Sequence, residues 1–402
     1  MKIRAITAFI ELQAEDFKAS LANTGKFLDS ATDAFAQVGI TVQSRRVATQ
    51  PFPQISSAAN ISELTVRLSE QCKVYGIDYV SLGPTRAHDD PAYIDALAAI
   101  FRAVPGVFAS VEIANRTTGI DLSMLRHTAR LIRDVSSITP DGLSNLYLAG
   151  LANCGPGSPF FPAAYHAGGS PRFALAIEAA DLAIQAFDGA STPEAARDAL
   201  TRLIQESARQ LCSVAEELAA QHNVSFGGLD FSLAPFPGEN ASLAAGMERL
   251  GVTAGGGGMV AAASLVMNAI EAADFPRCGF SGLMLPVLED TTLGRRAAEG
   301  VLSVNDLLLY SAVCGTGLDC IPLPGDVSEE VLAGILLDVA ALSLRLDKPL
   351  TARLMPMPGK MVGDEIKFDF EYFVPSRVMA PPAGLSTGAF SSDSAFRISS
   401  RR

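Results

Sequence analysis

The chain has 402 residues, 49% hydrophobic and 18% charged, too apolar for a disordered chain and sufficient for a sizeable core. Its 43 acidic and 31 Lys plus Arg side chains leave a net charge of −12, which argues against a nucleic-acid backbone as the main partner. No run reaches the roughly 18 apolar residues of a membrane span, and Glu11 interrupts the apolar N-terminal run too early for an export signal. The six scattered cysteines are therefore expected to be reduced thiols in a cytoplasmic protein.

Residues 2–10 alternate and are rich in β-formers, which predicts a first strand. Residues 16–38 place Phe17, Leu21, Phe27, Leu28, Ala31 and Phe35 at helical spacing. Strands are then expected at 40–49, 78–82, 106–113 and 145–151, separated by helices at 62–75, 91–104 and 122–135. A strand at 173–178 precedes the clearest helix, 191–221. Its start is marked by Thr192-Pro193-Glu194, and its apolar face runs from Leu200 to Leu218. Further strands are expected at 228–233, 279–285, 318–323 and 349–355, with helices at 259–272, 304–313 and 327–346. The last helix has a capping-box start in Asp326 and Glu329. This order predicts an α/β fold with a largely parallel sheet, open or closed into a barrel. Residues 1–380 read as one domain, and the Ser- and Gly-rich residues 381–402 as a mobile or docking tail.

The chemistry-bearing residue types cluster in loops next to strands. Residues 311–326 place Cys314, Gly315, Gly317, Asp319 and Cys320 at a glycine-rich bend, where a thiol could act as nucleophile or proton shuttle. Residues 153–166 offer the amides of Gly157 and Ser158 as an anion nest. They add Phe160 to exclude water and His166 as a general acid or base. Asp230, Glu289 and Asp290 supply oxygen ligands for a possible divalent metal. Arg46 lies inside a strand, where an unpaired charge is costly, so a structural or ligand partner is expected. Arg353 and Lys360 are further cations that could grip a carboxylate. The glycines at 255–258 form at most a generic anion site, because no strand precedes them.

Several runs taken together, RVATQPFP, GSPFFPAAY, GLDFSLAPFP, GLMLPVLEDTTL, VCGTGLD with PLPGD, and MPGKMVGD with FDFEYF, resemble the family designated domain of unknown function 711. The resemblance implies a roughly ten-stranded β/α barrel similar to the pyruvate formate-lyase type of glycyl radical enzymes. In those enzymes a cysteine loop enters the barrel and a glycine near the C-terminus stores the radical. By that likeness Cys314 is the loop thiol. The radical motif needs Arg-Val-x-Gly followed by an aromatic residue. The nearest run here is Arg377-Val378-Met379-Ala380-Pro381, so non-radical chemistry is expected.

The combined expectation is an enzyme acting on a small anionic metabolite, a carboxylate or phosphate. Arg46, Gly157, Ser158, Phe160, Gly315, Gly317 and Lys360 would bind it, with Cys314, Asp319 and His166 catalytic. Two alternatives are a hydrolase or lyase using a divalent metal at Asp230, Glu289 and Asp290, and a non-catalytic metabolite-sensing or structural oligomer. The Ala- and Leu-rich helices would also suit a homo-oligomer.

Overall fold

The computed structural model describes every residue except 16, 314, 315, 385, 386 and 402. Up to residue 357 the strands are β1 (Lys2–Phe9), β2 (Arg45–Pro51), β3 (Tyr79–Gly83), β4 (Val107–Asn115), β5 (Gly119–Asp121), β6 (Leu148–Ala152), β7 (Arg172–Glu178), β8 (Ser225–Ala234), β9 (Gly317–Pro324) and β10 (Leu350–Met357). The main sheet runs β8-β7-β1-β2-β3-β4-β6-β10-β9. Its pairings are parallel except β1 with β7 and β6 with β10. Five strands therefore run one way (β1, β2, β3, β4, β6) and β7 to β10 run the other.

Helices connect the strands and bury their apolar stripes on the sheet. The helix Pro193–His222 starts where Thr192 and Pro193 predict, with Thr192 Oγ1 accepting from Ala195 N at 3.1 Å. The helix expected from 327 begins at Glu329 instead. Ser328 is its cap and accepts from Val331 N, because Gly325 and Asp326 are still in a turn. Short helices at Ala180–Phe187, Leu243–Glu248 and Thr291–Ala298 escaped the sequence reading, since each spans eight residues or fewer and shows little periodicity. In the tail, Ala395–Phe396 pairs antiparallel with β5, and Arg401 N donates to Arg345 O.

One face of the sheet is lined with small side chains, and the segment 153–166 packs there. Phe160 sits among Ala5, Ala176, Ala234 and Met284, while Phe161 sits with Phe9, Ala48, Ala164 and Ala174. A methyl group on each strand leaves room for a phenyl ring from the loop.

The ladder is not continuous between its two edges, β8 and β9, so the closed barrel expected from the sequence is not present as a hydrogen-bonded ring. Residues 277–287 lie in that gap and bond to both edges. Cys278 N donates to Leu229 O, Met284 N to Ser232 O, and Val287 N to Asp319 O. Isolated parallel bridges join Leu229 to Arg277 and Pro286 to Asp319. The strand expected at 279–285 fails to form because Gly279 and Ser281 adopt φ of +59° and +37°. A Cβ on Gly279 would also lie 2.1 Å from Asp230 Oδ2, so only glycine fits this seam.

Candidate functional site: an arginine-lined cavity on the sheet

Three strands each carry a single arginine toward the same cavity: Arg4 on β1, Arg46 on β2 and Arg353 on β10. Backbone irregularities aim two of the charged groups. The β1–β7 register shifts between Ile3 and Ala5, which puts Arg4 on a bulge. On the other side, Asp319 and Cys320 together oppose Arg353, and Cys320 takes a left-handed φ of +50°. A bulge of this kind breaks strict in–out alternation and redirects side chains.

The charges form a chain. Arg4 Nη1 lies 3.2 Å from Glu178, and its Nη2 lies 2.5 Å from Glu289 Oε2. Glu289 Oε1 is 3.3 Å from Arg353 Nη2, and Arg353 Nε is 2.5 Å from Asp319 Oδ1. Arg353 Nη1 also donates to Leu146 O. Arg4, Glu289, Asp319 and Arg353 are each only 8% exposed, so their pairing is what makes these charges tolerable there. Burial alone would lower the Arg353 pKa, but the neighbouring charges, Asp319 foremost, raise it above its ordinary value.

Arg46 stands outside this chain. Its Nε donates to Ser44 Oγ at 2.8 Å, and its guanidinium lies over the rings of Phe161 and Tyr79, 5.1 and 5.6 Å from their centroids. It has no carboxylate partner among the described residues. Burial, and then the charge of Arg4, lower its pKa to about 10.

The walls are aromatic. Phe108, Phe160, Phe161 and Phe370 surround the cavity, and Tyr79, Tyr147 and Tyr372 add hydroxyl groups. Arg4 lies 4.6 Å above the Tyr372 ring. The space open to the centre of a water-sized sphere is about 80 Å³, several times what one water needs. Arg46, Tyr79 and Phe108 sit at or near the starts of β2, β3 and β4, and Tyr147 immediately precedes β6. Strand side chains form one part of the cavity, and segments outside the strands close it with Phe160, Phe161, Glu289, Phe370 and Tyr372.

The residues singled out from the sequence fall in several places. Arg46, Phe160, Asp319 and Glu289 come together here. Cys314 and Gly315 lie outside the described residues. Gly317 opens β9 at φ +95°, and a Cβ there would lie 2.2 Å from Thr351 O, so its glycine serves close strand packing. His166 lines a separate depression with Gly157 and Arg172. Its Nε2 is 3.3 Å from Gly169 O, its Nδ1 has no partner among the described residues, and burial lowers its pKa. The Gly157 amide, expected to greet an anion, already donates to Tyr165 O at 2.9 Å. Ser158 is buried near Asp230, and its hydroxyl has no partner among the described residues. Lys360 is exposed and borders a different groove, beside Glu365 and Phe368.

The three expected metal ligands do not converge. Asp290 caps the helix Thr291–Ala298, accepting from Thr292 N, Leu293 N, Ser242 Oγ and Ala244 N. Asp230 accepts from Phe280 N, Ser281 N and Ser232 Oγ, and burial still lifts its pKa to about 6 against those hydrogen bonds. Another trio, Glu289, Asp319 and Cys320, has ligand atoms within 4.8 Å of one another. Both Glu289 oxygens and one of Asp319 already accept from guanidinium groups. Burial holds the Cys320 thiol well above its ordinary pKa. A cation there would have to displace an arginine.

Arg4 and the tyrosines were missed by sequence reasoning. The available signal was the one that flagged Arg46: an arginine inside a strand, present also in KIRAITAF and LTARLMPM.

The sequence profile of the family described as "Uncharacterised ACR (DUF711)" matches residues 1–372. The chain belongs to the DUF711 family. Among its relatives, a UPF0210 protein of Pyrobaculum aerophilum is 32% identical over 82% of this chain and 76% of its own length. A UPF0210 protein of Methanopyrus kandleri is 28% identical over 91% of this chain and 88% of its own. One of Neisseria gonorrhoeae is 26% identical over 90% and 84%. Each DUF711 residue of the cavity falls within the matched span, from Arg4 to Tyr372. No helix among the described residues is long and apolar enough to cross a membrane.

Proposed function

We propose that this DUF711 protein is an enzyme that holds a small carboxylate-bearing metabolite in the aromatic cavity, with Arg46 as the anion-binding group and without radical chemistry. The observation that carries this is Arg46 itself. A partly desolvated guanidinium between two rings, with no carboxylate in ion-pair contact among the described residues, favours an anion from solution. The Arg4–Glu289–Arg353–Asp319 chain supports the reading by fixing the cavity's other charges in place. We further read the sheet as barrel-like. The residues 277–287 make parallel bridges to both edges, and two antiparallel blocks of strands face a common interior filled by Phe160 and Phe161.

A thermal-shift and calorimetric panel of short monocarboxylates tests the assignment, run on the natural protein and on Arg46→Met. Carboxylates that bind should raise the melting temperature of the natural protein and lose about tenfold or more in affinity in the variant. Equal binding by both proteins would remove Arg46 from the site. NMR of a binding carboxylate after long incubation separates turnover from simple binding: a ligand recovered unchanged leaves a sensor, not an enzyme.

A further inference from the structure

Counting charges around the cavity gives two opposite surpluses at different places. The chain Glu178–Arg4–Glu289–Arg353–Asp319 holds three carboxylates and two guanidiniums, so one negative charge is left over. Of the three carboxylates, Glu289 and Asp319 line the cavity. Glu178 accepts from Arg4 and from Gln43 Nε2 on one oxygen, Oε2, and does not line the cavity. Both oxygens of Glu289 are engaged by arginines. Asp319 gives one oxygen to Arg353 Nε, and its other oxygen has no partner among the described residues. Asp319 is nine-tenths buried and lines the cavity, and that oxygen keeps some exposure there, so a ligand filling the cavity would take water from it. Arg46, bordering the same cavity, is the matching positive surplus.

A simple anion would satisfy Arg46 and leave the Asp319 oxygen desolvated and unpaired, which is costly. A molecule with both a carboxylate and an ammonium group would satisfy both and add no net charge. We infer that the metabolite is a zwitterion of the amino-acid class. Its carboxylate rests on Arg46, its ammonium group donates to Asp319, and its apolar body lies against Phe160, Phe161 and Met284. This inference rests on Arg46 being the anion site; it adds the second charge and hence the substrate class.

Matched pairs that differ only in the amino group test it: L-phenylalanine with 3-phenylpropanoate, and L-leucine with 4-methylpentanoate, measured by calorimetry on the natural protein. The expected result is about tenfold or tighter binding of the amino member. Asp319→Asn should close that gap by weakening the amino member, and Asp319→Glu should restore part of the preference. A thermal melt of each variant shows whether it is folded, and the comparison on the natural protein needs no variant. If the deamino members bind as well as the amino members, or better, in an Arg46-dependent way, the zwitterion is overturned and the carboxylate site stands. If neither member of either pair binds, the zwitterion is overturned as well, and the panel of monocarboxylates separately decides the fate of Arg46.

Discussion

Asp230 at the seam and Arg46 in the cavity are both charged side chains on strands of the same sheet, but their surroundings differ. Asp230 accepts two backbone N–H groups and a serine hydroxyl, and these bonds fasten residues 277–287 to β8. Asp290 is saturated in the same manner at the start of its helix. Arg46 has one neutral hydroxyl and two ring faces. A buried charge answered by the protein's own backbone holds structure together. One left without a counter-charge beside a cavity is available to a ligand.

The comparison can be broken most severely inside the cavity. Glu289→Ala leaves Arg4 without one of its two carboxylates and Arg353 with Asp319 alone, and a loss of about 3–5 kcal/mol in unfolding free energy is expected by urea titration. A loss below about 1 kcal/mol would mean that the ion-pair chain is not structural. Asp230→Ala should cost about 3 kcal/mol, because the Phe280 and Ser281 amides lose their acceptor in a buried seam. The anion affinity of the cavity should persist in whatever fraction remains folded.

A smaller effect concerns pH. Burial lifts the Asp230 pKa from 3.8 to about 6, so between those values the folded protein holds a proton that the unfolded chain releases. The stability linked to Asp230 is thus fully present below pH 3.8 and is lost as pH rises through about 6. Urea midpoints measured across this window should decline from this source, and Asp230→Asn should flatten that part of the profile. An unchanged slope in the variant would show that another group is responsible.

The smallest stability change is expected at Arg46. Arg46→Met removes a charge with no ion pair, so stability should shift by about 1 kcal/mol or less, in either direction. Carboxylate binding should fall at the same time. A large destabilisation would instead make Arg46 a structural residue like Asp230 and end the contrast between the two regions.

Much of the architecture was legible in the sequence because it follows from local periodicity. The strands from β1 to β4 and the helix Pro193–His222 carry their own alternation, stripes and caps. The site was legible only in part. Arg46 stood out as a charge in an apolar strand, and Asp319 and Glu289 as acids beside strand ends, but nothing local could show that they share a cavity. The glycine-rich loop at 153–166 looked like an anion nest, yet its Gly157 amide is spent on Tyr165 and its two phenylalanines face the sheet.

Glu289 and Asp290 mark the limit most sharply. They are adjacent in sequence and chemically alike. One completes a bridge between Arg4 and Arg353, 285 and 64 residues away, while the other caps the helix that follows it. The amino-acid sequence by itself determined the alternation of strands and helices, the apolar core and the presence of arginines within strands, because each depends on neighbours a few positions apart. Only the tertiary structure decided which charges pair and which one is left over. Pairing depends on strand order and on bulges that turn Arg4 and Asp319 toward the cavity, and both are set by contacts between segments far apart in the chain.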